Sequence, residues 1–185
     1  MALYPASERS QPAVVAHTKW AISVRIFHWL GALLLLITWA MIKLDANAID
    51  DTYIDLHKAF GLSVLFWTVA RLLNRVLTLK SIPAKVVMPK WQTGIVHLTQ
   101  LLLYVCMLAM PLTAFTAEMM KGNVVWFFGM EIPAFIGENR DVARTLMKLH
   151  KDVFWTMLLA FTGLHILGAL QHQFIKKDNL IKRML

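Results

Sequence analysis

Four long runs of hydrophobic residues alternate with polar segments along this chain of 185 residues. They cover residues 22–42, 56–77, 96–116 and 153–175 approximately. Each run has about 20 residues, which at a rise of about 1.5 Å per residue crosses a hydrocarbon layer of roughly 30 Å. A helix on the surface of a soluble protein is usually shorter and polar along one face. The pattern therefore predicts four transmembrane segments in one domain that covers residues 1–185.

The predicted segments are helices, because a backbone inside lipid must satisfy its own hydrogen bonds in a helix or a closed barrel. None of the runs shows the alternation of polar and apolar residues that marks a barrel strand. Charged residues make up only 16% of the chain, against roughly 25% in soluble domains. The predicted fold class is therefore all-α, an integral membrane four-helix bundle. The sequence Ala46-Asn47-Ala48 resembles a signal-peptidase site, but the preceding run is too long for a signal peptide, and we expect the first helix to be retained.

Charged residues are distributed unequally between the two sides of the predicted bundle. The side with both termini and the second connection is rich in basic residues such as Arg9, Arg75 and Lys182, and its only acids are Glu8 and Asp178. The other side mixes both signs. The positive-inside rule therefore predicts that both termini lie in the cytoplasm. The formal net charge of +8 does not predict a nucleic-acid partner, because the basic residues flank the spans and form no separate domain.

Histidines carry the candidate chemistry of the sequence. Five of the seven lie in or at the mouth of a predicted span: His28, His57, His97, His150 and His165. An ionisable side chain inside a bilayer is costly and is by default a functional-site hypothesis. For any single histidine, a hydrogen bond between helices is the alternative. The other two, His17 and His172, are expected to be solvated or interfacial.

Four of these histidines match in depth, as two pairs. His57 and His150 lie at the outer mouths of their helices, whereas His28 and His165 lie several residues inside the cytoplasmic ends. His150 and His165 point to broadly the same side of one helix, about 22 Å apart along its axis. Two histidines that face each other at equal depth suit axial ligation of haem iron. A zinc site would need more ligands at one level, and a proton relay would need acids at depth.

Other residues of the spans bear on the proposed haem. Gly31, Gly61 and Gly168 each follow a candidate ligand by about one turn, which leaves room for a flat ring, although small residues also serve helix packing. Cys106 is the only cysteine, so a disulfide within the chain and covalent c-type haem attachment are excluded. The haem would then be b-type.

Three further residues are candidates for the cytoplasmic side of the site. Arg71 and Arg75 could bind haem propionates, since arginine pairs well with carboxylates, and retention of basic residues in the cytoplasm explains them equally well. His97 could compete with His28 as an axial ligand. We favour instead a hydrogen bond from His97 to a propionate or to a quinone carbonyl, because His28 lies closer to the depth of His165.

Several motifs in order along the chain match a known family. They are Phe27-His28-Trp29, Leu56-His57-Lys58 with Gly61, the segment 70–75, the pair His150 and His165, and the closing segment 177–184. Over residues 23–185 the chain resembles the bacterial cytochrome b561 family, the four-helix di-haem cytochromes of the inner membrane that include superoxide oxidase. The resemblance implies two b-type haems, one bound by His28 and His165 and the other by His57 and His150. At Gln100 the chain departs from relatives that often have a histidine there.

The resemblance also implies a reaction, in which superoxide gives an electron on the periplasmic side and ubiquinone accepts electrons. Lys58, Lys148 and Lys151 flank the outer histidines and could steer a small anion inward, or they could only solvate the helix ends. Another small one-electron donor would suit the same site. The sequence leaves a monomer and a homo-oligomer open.

Two other classes of function stay open at this point. The chain could be the cytochrome subunit that anchors a periplasmic dehydrogenase or hydrogenase to the quinone pool. It could also be a haem-free scaffold or transporter, against which the arrangement of histidines stands. The connection from Glu118 to Leu146 is long for a four-helix bundle, and it could cap the outer haem or dock a partner.

Overall fold

Four long helical rods make up most of the structure, a computed structural model that describes residues 19–45, 51–79 and 88–185. Helix α1 covers Ile22–Asp45, α2 covers Thr52–Leu77 and α3 covers Lys90–Met120. The fourth rod runs from Arg140 to Lys176. All four are long and apolar enough to cross a membrane, and each contains one of the predicted spans. The predicted all-α four-helix bundle is confirmed, whereas the side on which the termini lie stays a prediction.

The fourth rod is not a uniform helix. It consists of α4 over Arg140–Lys148, a wider π-helical segment over Leu149–Phe154, α5 over Trp155–Leu170 and a second π-helical segment over Gln171–Lys176. The Asn139 side chain caps α4 by accepting a hydrogen bond from the Val142 amide at 3.1 Å, which fixes where the rod begins. π-helical turns are uncommon and often occur at functional sites.

The bundle interior is apolar midway along the helices. Val64, Cys106, Met107 and Leu158 form a buried cluster to which α2, α3 and α5 contribute. Helix α1 packs along α2, α2 packs on α3, and α3 packs on the fourth rod. Among the described residues, no extensive backbone contact joins the fourth rod to α1 or α2. Space for side chains or a bound group therefore remains between the rod and those two helices.

The outer surface of the bundle is apolar as well. Leu36 on α1 is 57% exposed and Leu101 on α3 is 59% exposed. Large contiguous apolar surfaces are rare on soluble monomers and mark contact with lipid or with another protein. The exposed leucines therefore fit the membrane-spanning helices that their length and composition indicate.

A short β-hairpin lies between α3 and α4. Strand β1, Val125–Phe127, pairs antiparallel with β2, Met130–Ile132. The turn residues Phe128 and Gly129 both have positive φ, 47° and 89°, as in a type I′ turn. Phe128 packs on Phe60 of α2 with ring centres 5.2 Å apart. This hairpin and α4 occupy the long connection, for which the sequence had predicted no structure.

Residues 177–185, here called the tail segment, fold back against the start of α1. The Trp20 amide donates to the Arg183 carbonyl at 3.1 Å, and the Trp29 indole donates to the Met184 carbonyl at 2.8 Å. The Arg25 guanidinium donates to the Leu185 main-chain oxygen. The bundle thus has two distinguishable ends, called below the tail end and the hairpin end. The Ala46-Asn47-Ala48 sequence lies outside the described residues.

Candidate functional site

Two pairs of histidine rings face each other inside the bundle, one toward each end. His28 of α1 and His165 of α5 have ring centres 6.1 Å apart at the tail end. His57 of α2 and His150 of the first π-helical segment have ring centres 6.3 Å apart at the hairpin end. The rings of each pair are steeply inclined, by 69° and 86°. The structure therefore brings together the same residues that the sequence paired by depth.

The separation of the rings suits one metal ion between them. A metal–imidazole bond is about 2 Å long and the ring centre lies roughly 1 Å beyond the nitrogen, so two rings that share an ion are about 6 Å apart. Among the described residues, no group of three or more histidine, cysteine or acidic side chains could hold a metal ion. Each site thus offers two facing ligands, as axial ligation of haem iron requires.

Main-chain carbonyls orient both histidines of the hairpin-end pair. His57 Nδ1 lies 2.8 Å from the carbonyl oxygen of Thr38, and His150 Nδ1 lies 2.8 Å from that of Met110. A carbonyl oxygen only accepts hydrogen bonds, so each Nδ1 carries the proton and donates it. Each Nε2 then keeps a lone pair for a metal, and a metal-binding histidine typically has such a partner behind it. Helices α1 and α3 supply these acceptors, so all four rods contribute to this site.

A cation lies beside the tail-end pair instead. The Arg71 guanidinium donates to His28 Nδ1 at 3.1 Å, and it also lies over the Tyr104 ring, 5.3 Å from the ring centre. Because a guanidinium only donates, His28 accepts at Nδ1 and carries its proton on Nε2 in this arrangement. Ligation through Nε2 therefore requires Arg71 to leave Nδ1. A carboxylate of a bound group would draw the guanidinium away, since arginine and carboxylate pair strongly.

The glycines near the ligands differ in their surroundings. A Cβ on Gly31 would lie 3.1 Å from Nε1 of the Trp67 indole, which itself donates to the Phe27 carbonyl at 3.0 Å. Gly31 therefore serves close packing of α1 on α2, the alternative role that the sequence left open for it. A Cβ on Gly61 would only touch the Thr38 side chain at 3.9 Å, and one on Gly168 would meet nothing described within 4 Å.

The lysines near the hairpin-end pair are not equivalent. Lys58 Nζ lies 3.2 Å from Asp55 Oδ1 and 3.8 Å from Glu118 Oε2. Glu118 is only 8% exposed and also accepts from Lys121 at 2.6 Å. Lys148 and Lys151 are exposed, and neither forms an ion pair with a described residue. Among the described residues, these two lysines are therefore the unpaired cations near His150, beside one unpaired acid, Asp152, whereas the charge of Lys58 is largely balanced.

Three other predicted residues lie away from both pairs. His97 is exposed on α3 and contacts neither pair, so a role as an axial ligand has no support in the structure. Arg75 lies over the Trp20 ring, 4.5 Å from its centre, and not beside the histidines. His172 is 3% exposed, with Nδ1 2.6 Å from Asp178 and Nε2 2.9 Å from the Gln92 amide. The expectation that His172 is solvated or interfacial is therefore wrong, and His17 lies outside the described residues.

Some features of the site left no trace in the sequence. The carbonyl groups of Thr38 and Met110 are main-chain atoms, so no residue type announces them. The partners of His172 come from α3 and the tail segment, which are far apart along the chain. The four-residue spacing of Arg71 and Arg75 puts both on one face of α2, so the sequence could not show that only Arg71 lies beside a histidine.

Comparison with known proteins gives one family and several relatives. The sequence profile of the prokaryotic cytochrome b561 family matches residues 19–185. A probable superoxide oxidase, CybB of Yersinia pestis, is 28% identical over 172 residues, which cover 91% of this chain and 97% of that protein. Cytochrome b561 homolog 2 of Escherichia coli (strain K12) is 26% identical over 176 residues, 90% of this chain and 91% of that protein. Homolog 1 of the same strain is also 26% identical, over 85% of this chain and 92% of that protein.

Proposed function

This chain belongs to the prokaryotic cytochrome b561 family of haem b proteins that transfer electrons across membranes, and from that premise we propose its particular reaction. It oxidises superoxide at the periplasmic face of the bacterial inner membrane and reduces ubiquinone, with two b-type haems as cofactors. Two superoxide anions each lose one electron and leave as O₂, while ubiquinone takes up both electrons and two protons. The two facing histidine pairs are the observation that carries the proposal.

The proposed ligands are His57 with His150 at the hairpin end and His28 with His165 at the tail end. When bound, haem supplies the one-electron couple that the transfer requires. Thr38 and Met110 hold the hairpin-end imidazoles in the tautomer that binds metal. At the tail end, Arg71 is placed to pair with a propionate. Ligands from helices on opposite sides of the gap would also tie α1 and α2 to the fourth rod.

The proposed orientation places the hairpin end in the periplasm. The tail end holds the excess of basic residues, which the positive-inside rule assigns to the cytoplasm. Exposed Lys148 and Lys151 would then raise the local concentration of superoxide near His150, since positive charge attracts a small anion over about one Debye length. Lys58 contributes less, because Asp55 and Glu118 compensate its charge.

His97 is better placed to bind ubiquinone than to bind haem. Its side chain is on the exposed face of α3, near the tail end, where it can meet a molecule that diffuses in the membrane. We therefore keep the hydrogen bond from His97 to a quinone carbonyl as part of the proposal. His97→Ala should raise the KM for ubiquinone and leave the haem content unchanged. A loss of haem from this variant would contradict the assignment.

The second candidate function is that of a cytochrome subunit, which would anchor a periplasmic dehydrogenase or hydrogenase to the quinone pool. The hairpin favours it, because Trp126 and Phe128 are 42% and 55% exposed at the proposed periplasmic end, and aromatic side chains are enriched in protein interfaces. Stoichiometric copurification of a soluble redox enzyme in mild detergent would support this function. Its absence, together with superoxide oxidation by the purified chain alone, would exclude it.

The test of the proposed reaction uses the haem-loaded protein in vesicles that contain ubiquinone. A superoxide generator on the hairpin side should reduce ubiquinone at a rate proportional to the amount of protein, without oxygen being consumed by the protein. Heat-denatured protein in the same vesicles is the control. If quinone reduction does not exceed that control while the haems are intact, the donor is not superoxide.

A further inference from the structure

We propose that Arg75, Arg25 and Trp20 at the tail end form a binding site for the phosphate group of a membrane phospholipid. The site lies where the start of α1, the end of α2 and the tail segment meet. It goes beyond the proposed function, since neither the histidine pairs nor the substrates require it.

Arg75 has more hydrogen-bond donors than the structure satisfies. It belongs to the last turn of α2, and its guanidinium lies over the Trp20 ring, 4.5 Å from the ring centre. Among the described residues the guanidinium forms no hydrogen bond and no ion pair, and its buried Nη1 atom has no acceptor. A half-buried cation without an acceptor is destabilising unless an outside group supplies one.

Arg25 lies in the same cluster and is also incompletely satisfied. It belongs to the first turns of α1, and it donates to the main-chain oxygen of Leu185. Its buried Nε atom has no acceptor. The Trp20 amide donates to the Arg183 carbonyl at 3.1 Å, so Trp20 and Arg25 both contact the tail segment. The Arg75 guanidinium reaches the same place from α2, over the Trp20 ring.

Acidic side chains are scarce around this cluster. No acid occurs in the sequence between Lys58 and Glu118, so α2 and the start of α3 supply none here. Asp178 of the tail segment has one carboxylate oxygen 2.6 Å from His172 Nδ1 and the other buried without a partner, and it forms no ion pair with Arg25 or Arg75. In the adjoining residues 1–18 and 80–87, which the structure does not describe, the sequence has a single acid, Glu8. The missing anion is therefore best supplied from outside the protein.

The position of the cluster selects a phospholipid among the anions. The start of α1 and the end of α2 mark one boundary of the apolar spans. The phosphate groups of a bilayer lie at that boundary, and tryptophan is enriched there. A planar guanidinium binds phosphate oxygens in pairs, and basic pockets between transmembrane helices bind anionic headgroups. A haem propionate is served instead by Arg71, which lies beside His28.

The test compares the thermal stability of the haem-loaded protein in neutral detergent with three additions. They are phosphatidylglycerol, inorganic phosphate, and a neutral glycolipid with matching acyl chains. Phosphatidylglycerol should raise the Tm by about 5 °C at saturation, because a ligand that binds only the folded state stabilises it. Inorganic phosphate at the same concentration and the glycolipid should each raise it by less than about 1 °C.

Variants locate the effect at the site. Arg75→Gln should lose most of the Tm shift, Arg25→Gln should lose part of it, and Arg75→Lys should keep part because an ammonium still attracts phosphate. Lys182→Gln removes an exposed positive charge at the same end and should keep the full shift. If Arg75→Gln keeps the shift, or if inorganic phosphate matches the lipid, the proposal is wrong. Loss of haem or an altered visible spectrum in Arg75→Gln would also overturn it, because Arg75 would then serve the cofactor.

Discussion

The two histidine pairs have nearly the same ring separation but different surroundings. At the hairpin end, the Thr38 and Met110 carbonyls fix the tautomers of His57 and His150. At the tail end, neither histidine has a main-chain acceptor among the described residues, and Arg71 donates to His28 instead. The first pair is therefore set for metal ligation before a cofactor binds, whereas the second becomes so only when Arg71 finds another partner. Two pairs with nearly equal ring separation can therefore differ in how ready their histidines are to bind a metal.

The comparison also suggests a direction for the electrons. A positive charge near a redox centre stabilises its reduced state, and net charge and hydrogen bonds around haem set its potential. Arg71 is such a charge at the tail end, whereas carbonyl groups that accept from imidazole make the hairpin-end ligands more basic. A haem held by the tail-end pair should therefore have a higher potential than one held by the hairpin-end pair. Electrons that enter at the hairpin end would then flow toward the tail end.

Loss of one histidine should have the largest effect, because no neighbouring side chain can replace it as a ligand. His57→Ala and His28→Ala should each lower the haem content by about one haem per chain, measured by a pyridine haemochrome assay on purified protein. His97→Ala is the matched control, since it removes an exposed histidine of the same bundle. If either ligand variant keeps the full haem content, the corresponding pair is wrongly assigned.

Removal of the exposed lysines should reduce the rate of superoxide oxidation without loss of haem. Lys148→Gln with Lys151→Gln should lower the second-order rate constant about tenfold at low salt and flatten its dependence on ionic strength. Lys58→Gln should have a smaller effect, because its charge is compensated in the structure. An unchanged salt dependence in the double variant, or an equal effect of Lys58→Gln, would contradict this distinction between the lysines.

If each pair holds a haem as proposed, neutralisation of Arg71 should change the midpoint potential of only one of them in a redox titration. Arg71→Gln should lower the midpoint potential of one haem, by on the order of tens of millivolts, and leave the other unchanged. Arg71→Lys retains the charge and should retain most of the potential. A change in both potentials would indicate that Arg71 acts through the fold as a whole, and no change would remove it from the tail-end site.

The smallest effect is expected from the glycine of the α1–α2 contact. Gly31→Ala places a methyl group about as far from Trp67 as the 3.1 Å of an ideal Cβ, so the indole must shift. Gly94→Ala meets nothing described within 4 Å and gains helix propensity, worth about 1 kcal/mol at an interior position. Thermal unfolding should therefore show Gly94→Ala at or above the wild-type Tm and Gly31→Ala below it. The reverse order would mean that Trp67 is not in close contact with Gly31.

The depth of a residue along a predicted helix could be read from the sequence, and that is why the histidines could be paired. Helix length, hydropathy and a rise of about 1.5 Å per residue give the level of each side chain without knowledge of the packing. The rotation of a helix about its axis is less accessible, because it depends on which neighbours it meets. The sequence therefore left the role of His97 open between an axial ligand and a hydrogen-bond donor, and the structure shows it exposed. His172 was expected to be solvated or interfacial, although it is buried.

Contacts that join distant parts of the chain could not be predicted. The hairpin depends on strand pairs of only three residues each, which are too short to give a clear alternation of polar and apolar positions. Compensation of Lys58 by Glu118 joins the start of α2 to the end of α3, and the tail segment reaches α1 from the far end of the sequence. In each case the residues are visible in the sequence, but their contact depends on how the helices pack and could not be predicted.

The most direct test of the central claim is a reduced-minus-oxidised visible spectrum of the detergent-purified protein, with haem quantified per polypeptide. The two facing pairs predict low-spin b-type bands and two haems per chain. They also predict that His57→Ala and His165→Ala each leave one haem, with different residual spectra. A wild-type protein that is expressed with haem supplied and still binds no haem, or binds one haem that survives both substitutions, would contradict the account.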